Sequence, residues 1–345
     1  MELTVLNKFK KFLYNEIYVN ILQNSNDTLI FIEEVNFKGD SQHYEKLFKS
    51  TDKVKIDEYI QSYVNHSPIN YVSILDPSLS QGAAPTCSSS EIKRYCESGE
   101  YEQICINESW SYYSSKFDLI ELQGRYKTSG LDFIFSPFHM LHDFFKDKTK
   151  GEIALYVLVN EDYMALSVFE DSQLMFASLL DMQKEDESSD DLIMDIDDED
   201  ELILDEIENH SVDLEDIDVD DDLDNLDELD DLDDLESFDD MEDFDVDSQT
   251  EQTLDSADSS MDIIDDQSSF GEDYQRFSLI QSAINTFYKD TKFDGKFIQN
   301  AYIADGIGLS SEFKKFLEEE MFLSVMVRKI EMAQELCELA KVEQK

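Results

Sequence analysis

The chain has 345 residues, with 81 Asp and Glu against 27 Lys and Arg, and a formal net charge of −54. This charge excludes nucleic-acid binding through phosphate neutralisation and excludes a polybasic membrane anchor. No apolar run approaches the roughly 20 residues of a membrane-spanning helix, residues 1–21 lack the apolar core of a secretory signal, and the four cysteines are too few for a disulfide-stabilised fold. We therefore expect a cytoplasmic, reduced protein with no direct membrane span.

The first part of the chain predicts strands mixed with helices. Glu16–Leu22 and Thr28–Val35 are apolar, β-prone stretches separated by turn residues, which predicts a hairpin. Further predicted elements are a helix over Ile56–Tyr63, a strand over Tyr71–Leu75, a loop over Ser78–Ser98 and a strand over Phe117–Leu122. Ser136 followed by Pro137 indicates the start of a helix.

Three apolar stretches in the middle of the chain predict a meander of strands: Ile153–Val159, Met164–Phe169 and Gln173–Leu180. Towards the end, the spacing predicts a helix over Phe277–Tyr288, a strand over Ala301–Ala304, a turn over Asp305–Gly308, and helices over Ser311–Glu320 and Arg328–Val342. Strands and helices mixed in this order indicate an α/β protein.

An acidic insertion, residues 185–270, carries 41 carboxylates and no Lys or Arg. Within it, apolar residues recur at every third position: Leu223, Leu226, Leu229, Leu232, Leu235, Phe238, Met241 and Phe244. Because three residues turn a helix by about 300°, this stripe forms no stable apolar face, and the dense like charge predicts disorder. Two interpretations stay open: a self-repelling linker, or an interaction segment that binds a basic, apolar partner.

The stretch from Asp305 to Val325, DGIGLSSEFKKFLEEEMFLSV, contains a glycine turn, an amphipathic helix and a short strand in succession. It resembles the actin-like assembly proteins of type IV pili (PilM) and the related cytoplasmic domain of type II secretion proteins. Glu16–Val35 resembles the opening hairpins of that family, and Ile153–Leu180 resembles its second phosphate hairpin with the following strand. The resemblance implies an α/β, actin-like (ribonuclease H-like) two-domain fold. The first lobe would cover residues 1–148 and the second residues 149–184 and 271–345, interrupted by the disordered acidic insertion.

Nucleotide binding in that family depends on Asp-x-Gly turns, whose glycines admit backbone N–H groups to the phosphates and whose aspartates organise Mg²⁺. The alignment that the resemblance implies places Lys11 and Leu13 in the first turn, and Leu158 and Asn160 in the second. Both metal-organising carboxylates are missing from these positions. Glu161 and Asp162 are near enough to substitute if the second turn shifts.

A remnant of a third nucleotide turn is predicted at Asp305, Gly306 and Gly308. The glycines permit a tight turn into a helix, whether they bind phosphate or only shape the chain, and the charge of Asp305 opposes a phosphate. We therefore expect neither ATP nor Mg²⁺ as a cofactor, and no hydrolysis. The alternative is an actin-like ATPase with displaced metal ligands.

Three other groups of residues carry weaker signals. Cys87, Cys96 and Cys105 recur every nine residues, unlike zinc-binding pairs, and are expected to be ordinary thiols. His139 and His142 share one face of a helix and are expected to serve packing or to face solvent. The aromatic residues from Trp110 to Tyr113 predict core packing, with a peptide-binding groove as the alternative.

These observations predict a non-enzymatic cytoplasmic scaffold. The resemblance implies a place beneath an inner-membrane assembly complex of a type IV pilus, type II secretion or DNA-uptake system, bound to the short cytoplasmic tail of a membrane partner. The acidic insertion would add a docking site for a basic protein. An unrelated α/β protein-binding module with an acidic interaction arm stays as the alternative.

Overall fold

The computed structural model describes residues 12–96, 99–183, 262–293 and 295–344, with side chains from residue 271 onward in the third range. These residues belong to one compact unit. Most of the acidic insertion, including its Leu, Phe and Met stripe, lies outside the described residues. Among the helices that are described, none is long and apolar enough to cross a membrane.

The first part of the chain contains two sheets and three helices. In chain order the elements are β1 (Glu16–Gln23), β2 (Asp27–Val35), β3 (Ser41–Lys49), α1 (Lys53–Val64), β4 (Asn70–Leu75), β5 (Gln81–Ala84), β6 (Tyr101–Ile106), β7 (Trp110–Ser115), α2 (Lys116–Arg125), β8 (Phe133–Phe135) and α3 (Pro137–Phe144). A short 3₁₀ turn at Ile92–Arg94 lies between β5 and β6.

The second part builds one further sheet with its helices. Its elements are β9 (Ala154–Val159), β10 (Tyr163–Glu170), β11 (Gln173–Asp181), α4 (Asp262–Lys289), β12 (Asn300–Asp305), α5 (Ser311–Glu319), β13 (Ser324–Lys329) and α6 (Met332–Glu343). α4 begins within the last residues of the predicted insertion.

The two lobes repeat one topology. The first sheet has the order β3-β2-β1-β4-β8, and the second has the order β11-β10-β9-β12-β13. In both sheets the first three strands are antiparallel neighbours, and the fourth and fifth run parallel to the first. This duplicated order is that of the actin-like fold, and it confirms the predicted fold class.

A small antiparallel sheet with the order β5-β7-β6 is inserted between β4 and α2 of the first lobe. Trp110 in β7 is fully buried. Its ring packs against His142, with ring centroids 5.4 Å apart, and against Phe169 of the second lobe at 5.7 Å. The predicted core role of Trp110 is therefore confirmed, and the inserted sheet is tied to both lobes.

One apolar core joins the lobes, because α3 and α6 lie between the two large sheets. Phe145, at the end of α3, packs against Tyr156 of β9 and Tyr302 of β12, with ring centroids 5.7 and 5.8 Å apart. α6 follows the last strand of the second lobe but packs on β1, β2 and β4 of the first. There Lys341 forms a 2.6 Å ion pair with the buried Glu33, and the Cys337 thiol donates to the same carboxylate at 3.0 Å.

One predicted element is wrong in type, and another begins at the wrong residue. Phe117–Leu122 was expected to be a strand but lies in helix α2, which Ser115 caps by accepting from the Asp118 N–H. Its Phe117 and Ile120 are exposed, so the apolar positions do not mark a buried strand face. The predicted helix over Arg328–Val342 begins only at Met332, because Arg328 extends β13 beside Ala304 of β12.

The predicted loop over Ser78–Ser98 contains strand β5, whose residues are all buried. The expectation that Cys87, Cys96 and Cys105 are ordinary thiols of a reduced protein is also wrong for two of them. Cys87 and Cys105 form a disulfide, with their Cα atoms 5.3 Å apart, while Cys96 is free. Pairing between β6 and β7 places Cys105 beside the segment that follows β5, which contains Cys87. The nine-residue spacing of the cysteines does not indicate this contact.

The buried imidazole of His139 should make the stability of the fold sensitive to acid. The ring stacks on Tyr112 and packs at a tilt against Phe135. Its Nδ1 has no hydrogen-bond partner within the described structure, and burial lowers the pKa of His139 from 6.5 to about 4. Since the unfolded chain binds this proton more tightly, stability contributed by the neutral ring is lost as pH falls from about 6.5 to about 4.

We expect His139→Phe to reduce the loss of unfolding free energy between pH 7 and pH 4.5 by on the order of 2 kcal/mol, measured by urea denaturation at both pH values. The exposed His66 provides the control, and His66→Gln should leave the pH dependence unchanged. Equal pH dependence in the wild type and His139→Phe would contradict the assignment.

Candidate functional site

The candidate site lies where the strands of both lobes end. The β1–β2 hairpin tip, the β9–β10 tip and the turns after β4 and β12 meet at this end of the molecule. In α/β folds, ligands bind beyond the carboxyl ends of parallel strands. This region is therefore where an actin-like protein would hold the phosphates of a nucleotide.

The two hairpin tips are hydrogen-bonded to each other. Asn24 Nδ2 donates to Glu161 Oε2 at 2.7 Å, and the backbone N–H of Ser25 donates to Asp162 Oδ2 at 2.7 Å. Gln183 Nε2 donates both to Ser25 Oγ at 2.9 Å and to Asp162 Oδ1 at 3.2 Å. Carboxylates of the second lobe thus occupy donors of the first, including a backbone N–H of the kind that a phosphate hairpin offers to its ligand.

The turn after β12 is occupied in the same way. Asp305 Oδ1 accepts from the N–H groups of Ile307 at 3.0 Å and Gly308 at 2.7 Å, and Oδ2 accepts from Leu309 at 3.0 Å. Successive N–H groups that converge on one point form an anion-binding nest. Here the anion in the nest is the protein's own carboxylate.

Gly306 and Gly308 are required by the shape of this turn. A Cβ atom on Gly306 would lie 2.8 Å from the carbonyl oxygen of Val159, and Gly308 has a φ of +87°. Both positions therefore need glycine whether or not a ligand binds. The prediction that these residues are a remnant of a nucleotide turn stays a prediction.

The predicted first phosphate turn is misplaced. Leu13 precedes β1 and is exposed, and Lys11 lies outside the described residues. The tip of the hairpin is instead formed by Asn24 and Ser25, within the turn residues that predicted the hairpin. In the second hairpin, Leu158 is fully buried within β9, and Asn160 begins the turn by donating its N–H to the carbonyl of Tyr163.

A cavity of about 270 Å³ beside the hairpin tips is lined by Asp76, Asp118, Glu121 and Asp162, with Arg125 as its cationic side chain. Burial raises the pKa of Asp76, which accepts from Ser114 Oγ at 2.6 Å. Four carboxylates against one guanidinium repel a polyphosphate.

The backbone donors of this site are bonded within the chain. Within the described part of the chain, no group of three or more His, Cys, Asp or Glu side chains could hold a metal ion. The N–H groups that phosphates would need are bonded to Asp162 and Asp305. These N–H groups therefore serve the structure of the hairpin tip and the turn.

A groove of about 920 Å³ is lined by residues of the inserted sheet, of α2 and of β11. Its apolar lining is Leu79, Tyr95, Tyr101, Tyr113, Phe117, Ile120 and Leu179. Phe117 and Ile120, one helical turn apart on α2, are 73% and 60% exposed. Lys116 and Asp181 lie along the same groove. An extended peptide could bury these apolar side chains.

The Cys87–Cys105 disulfide ties down the chain that forms one side of this groove. Tyr95 and Gly99, which line the groove, lie between the two bonded cysteines in the sequence. The disulfide therefore limits how far this wall can move from β6.

Removing the carboxylate of Asp305 should destabilise the second lobe. Asp305→Ala leaves three N–H groups without their acceptor, which should lower the unfolding free energy on the order of 2–3 kcal/mol in chemical denaturation. Asp305→Asn keeps one amide oxygen and should lose less. The exposed Glu152 gives the control, and a loss in Asp305→Ala no larger than that in Glu152→Ala would contradict the role of the turn.

Several solved structures are similar to this chain over nearly its whole length. Among solved structures, a Bacteroides thetaiotaomicron protein with an actin-like ATPase fold and unknown function is 10% identical, with 95% of this chain and 96% of that chain covered and a TM-score of 0.46. A PilM–PilN type IV pilus biogenesis complex matches at 9% identity, with 94% of each chain covered and a TM-score of 0.43. The ethanolamine utilization protein EutJ from Carboxydothermus hydrogenoformans matches at 8% identity, with 94% and 91% covered and a TM-score of 0.33.

No curated protein matches the sequence significantly. Two family models do: a domain of unknown function, DUF8569, matches residues 14–142, and a second, DUF8341, matches residues 155–345. The second match covers more than half of the chain. This actin-like protein therefore belongs to the family of the domain of unknown function DUF8341.

Proposed function

We propose that this protein is a non-enzymatic, actin-like scaffold that binds protein segments and not nucleotides. The observation that carries the proposal is the occupation of backbone N–H groups by Asp162 and Asp305. A carboxylate held by several N–H groups is an intramolecular ligand at very high effective concentration. A phosphate would have to displace it and would then lie beside a displaced negative charge.

Isothermal titration with Mg-ATP tests the loss of nucleotide binding. We expect no heat of binding beyond dilution for the wild-type chain, because the donors are occupied and the adjoining cavity is acidic. The folded state of the sample is verified by its cooperative thermal unfolding. Micromolar binding would contradict the proposal, as would ATP turnover that Asp305→Ala abolishes, and either result would favour an actin-like ATPase with displaced metal ligands.

The groove between the inserted sheet, α2 and β11 is the proposed binding site for the partner. The resemblance in the sequence implies the short cytoplasmic tail of a single-span inner-membrane protein as its occupant. A strand-like tail can place alternate side chains against the aromatic wall and the exposed Phe117 and Ile120. Since the chain has a net charge of −54, a tail with basic residues is favoured over an acidic one.

This binding would place the protein at the cytoplasmic side of the inner membrane, attached through its partner. The assembly would be a type IV pilus, type II secretion or DNA-uptake complex, as the resemblance implies. The acidic insertion would contribute a second contact, with a basic protein. Nucleic acid is disfavoured as a partner for the same electrostatic reason.

Substitutions in the groove test the site. Phe117→Ser with Ile120→Ser should leave the melting temperature unchanged, since both side chains are exposed, and should abolish co-purification of a single-span protein from detergent-solubilised native membranes. Val54→Ser, at an equally exposed position of α1, should retain the partner. Equal recovery of the same membrane protein by all three chains would contradict the assignment of the groove.

A further inference from the structure

Two aromatic side chains project into solvent at the end of the second lobe opposite the hairpin tips. Phe322, between α5 and β13, is 82% exposed, and Phe297, just before β12, is 68% exposed. They lie at the amino-terminal ends of β12 and β13, away from the hairpin tips. Neither belongs to the groove proposed for the membrane partner.

Between these elements lies a separate cavity of about 190 Å³. Its apolar lining is Leu155, Ile284, Tyr288, Phe297, Ile298, Met321 and Leu323. In the sequence, Phe322 lies between Met321 and Leu323, which both line the cavity. The surface combines an apolar depression with protruding aromatic side chains, an arrangement typical of sites that receive an apolar side chain from a partner.

The backbone at Phe322 adopts a conformation that suits another residue better. Its φ is +55°, in the left-handed region that bulky side chains rarely adopt and that glycine and asparagine adopt readily. Residues held in this region cluster at ligand-binding sites. Because Phe322 is 82% exposed, packing against the described residues does not explain this conformation.

The charge around the cavity selects the occupant. The carboxyl end of α5 carries Glu318, Glu319 and Glu320, and Glu320 lines the cavity. Lys314 pairs with Glu318 at 3.4 Å, while no ion pair joins Glu319 or Glu320 to a Lys or Arg within the described residues. The net charge of −54 opposes a second copy of the chain, and the acidic insertion is opposed for the same reason.

We propose that this face, defined by Phe297, Phe322 and Glu320 around the cavity, is a second protein-docking site, and that its occupant is a basic segment that inserts an apolar side chain. The carboxylates attract and orient the basic residues, and burial of the two aromatic rings supplies the affinity.

The test uses the full chain and two synthetic helical peptides, one of Leu and Lys and one of Leu and Glu. Hydrogen–deuterium exchange should show that the Leu/Lys peptide protects residues 297–298 and 320–323, and that the Leu/Glu peptide does not. Phe322→Gly should remove this protection and weaken the site about tenfold or more. Its melting temperature should stay unchanged or rise, because glycine relieves the backbone at this φ. Phe37→Gly, at another exposed phenylalanine, should keep the protection.

Several results would overturn the proposal. Protection confined to other segments, or protection at 297–298 and 320–323 that Phe322→Gly leaves intact, would place peptide binding elsewhere. A lower melting temperature for Phe322→Gly would assign the ring to the fold. Sedimentation in which the chain associates with itself, and in which Phe322→Gly abolishes that association, would make a second copy the occupant. None of these results depends on the peptide groove beside α2.

Discussion

Backbone N–H groups at the ends of strands can satisfy only one anion at a time, and in this protein the anion is supplied by the chain. Asp305 takes three N–H groups of its own turn, and Asp162 takes the N–H of Ser25 across the gap between the lobes. A free phosphate loses translational and rotational freedom when it binds, whereas a carboxylate of the chain does not. The carboxylate therefore competes strongly with any phosphate. The donors at these strand ends therefore serve the structure of the chain itself.

The same constraint bears on how the lobes are held together. In a nucleotide-gated protein, the ligand between two lobes sets their closure. Here the hairpin tips are linked directly, and the apolar core that contains Phe145, Tyr156 and Tyr302 runs between the sheets. α6 strengthens this link, since Lys341 joins the buried Glu33 of the other lobe. A lobe arrangement fixed by the chain itself suits a scaffold, whose partners need constant surfaces.

Local patterns in the sequence predicted strands β1, β2 and β4 of the first sheet and β9 to β12 of the second. The hairpin at Glu16–Val35 follows from its apolar stretches and the turn at Asn24, and Ser136 with Pro137 marked the start of α3 as observed. The helix α2 was predicted as a strand because the apolar residues Phe117 and Ile120 were assumed to be buried, whereas both are exposed. Contacts such as Asn24 with Glu161 join residues 137 positions apart, and the positive φ of Phe322 depends on how α5 meets β13. No local pattern encodes either.

Hydrogen exchange measures directly whether the backbone amides of the hairpin tip and the β12 turn are hydrogen-bonded. Exchange at the N–H groups of Ser25, Ile307, Gly308 and Leu309 should be slow in the free protein and unchanged by millimolar Mg-ATP, because each already donates to a carboxylate. Rapid exchange at these amides in the free protein that becomes slow when Mg-ATP is added would contradict the account. It would show that these N–H groups are free to bind phosphate.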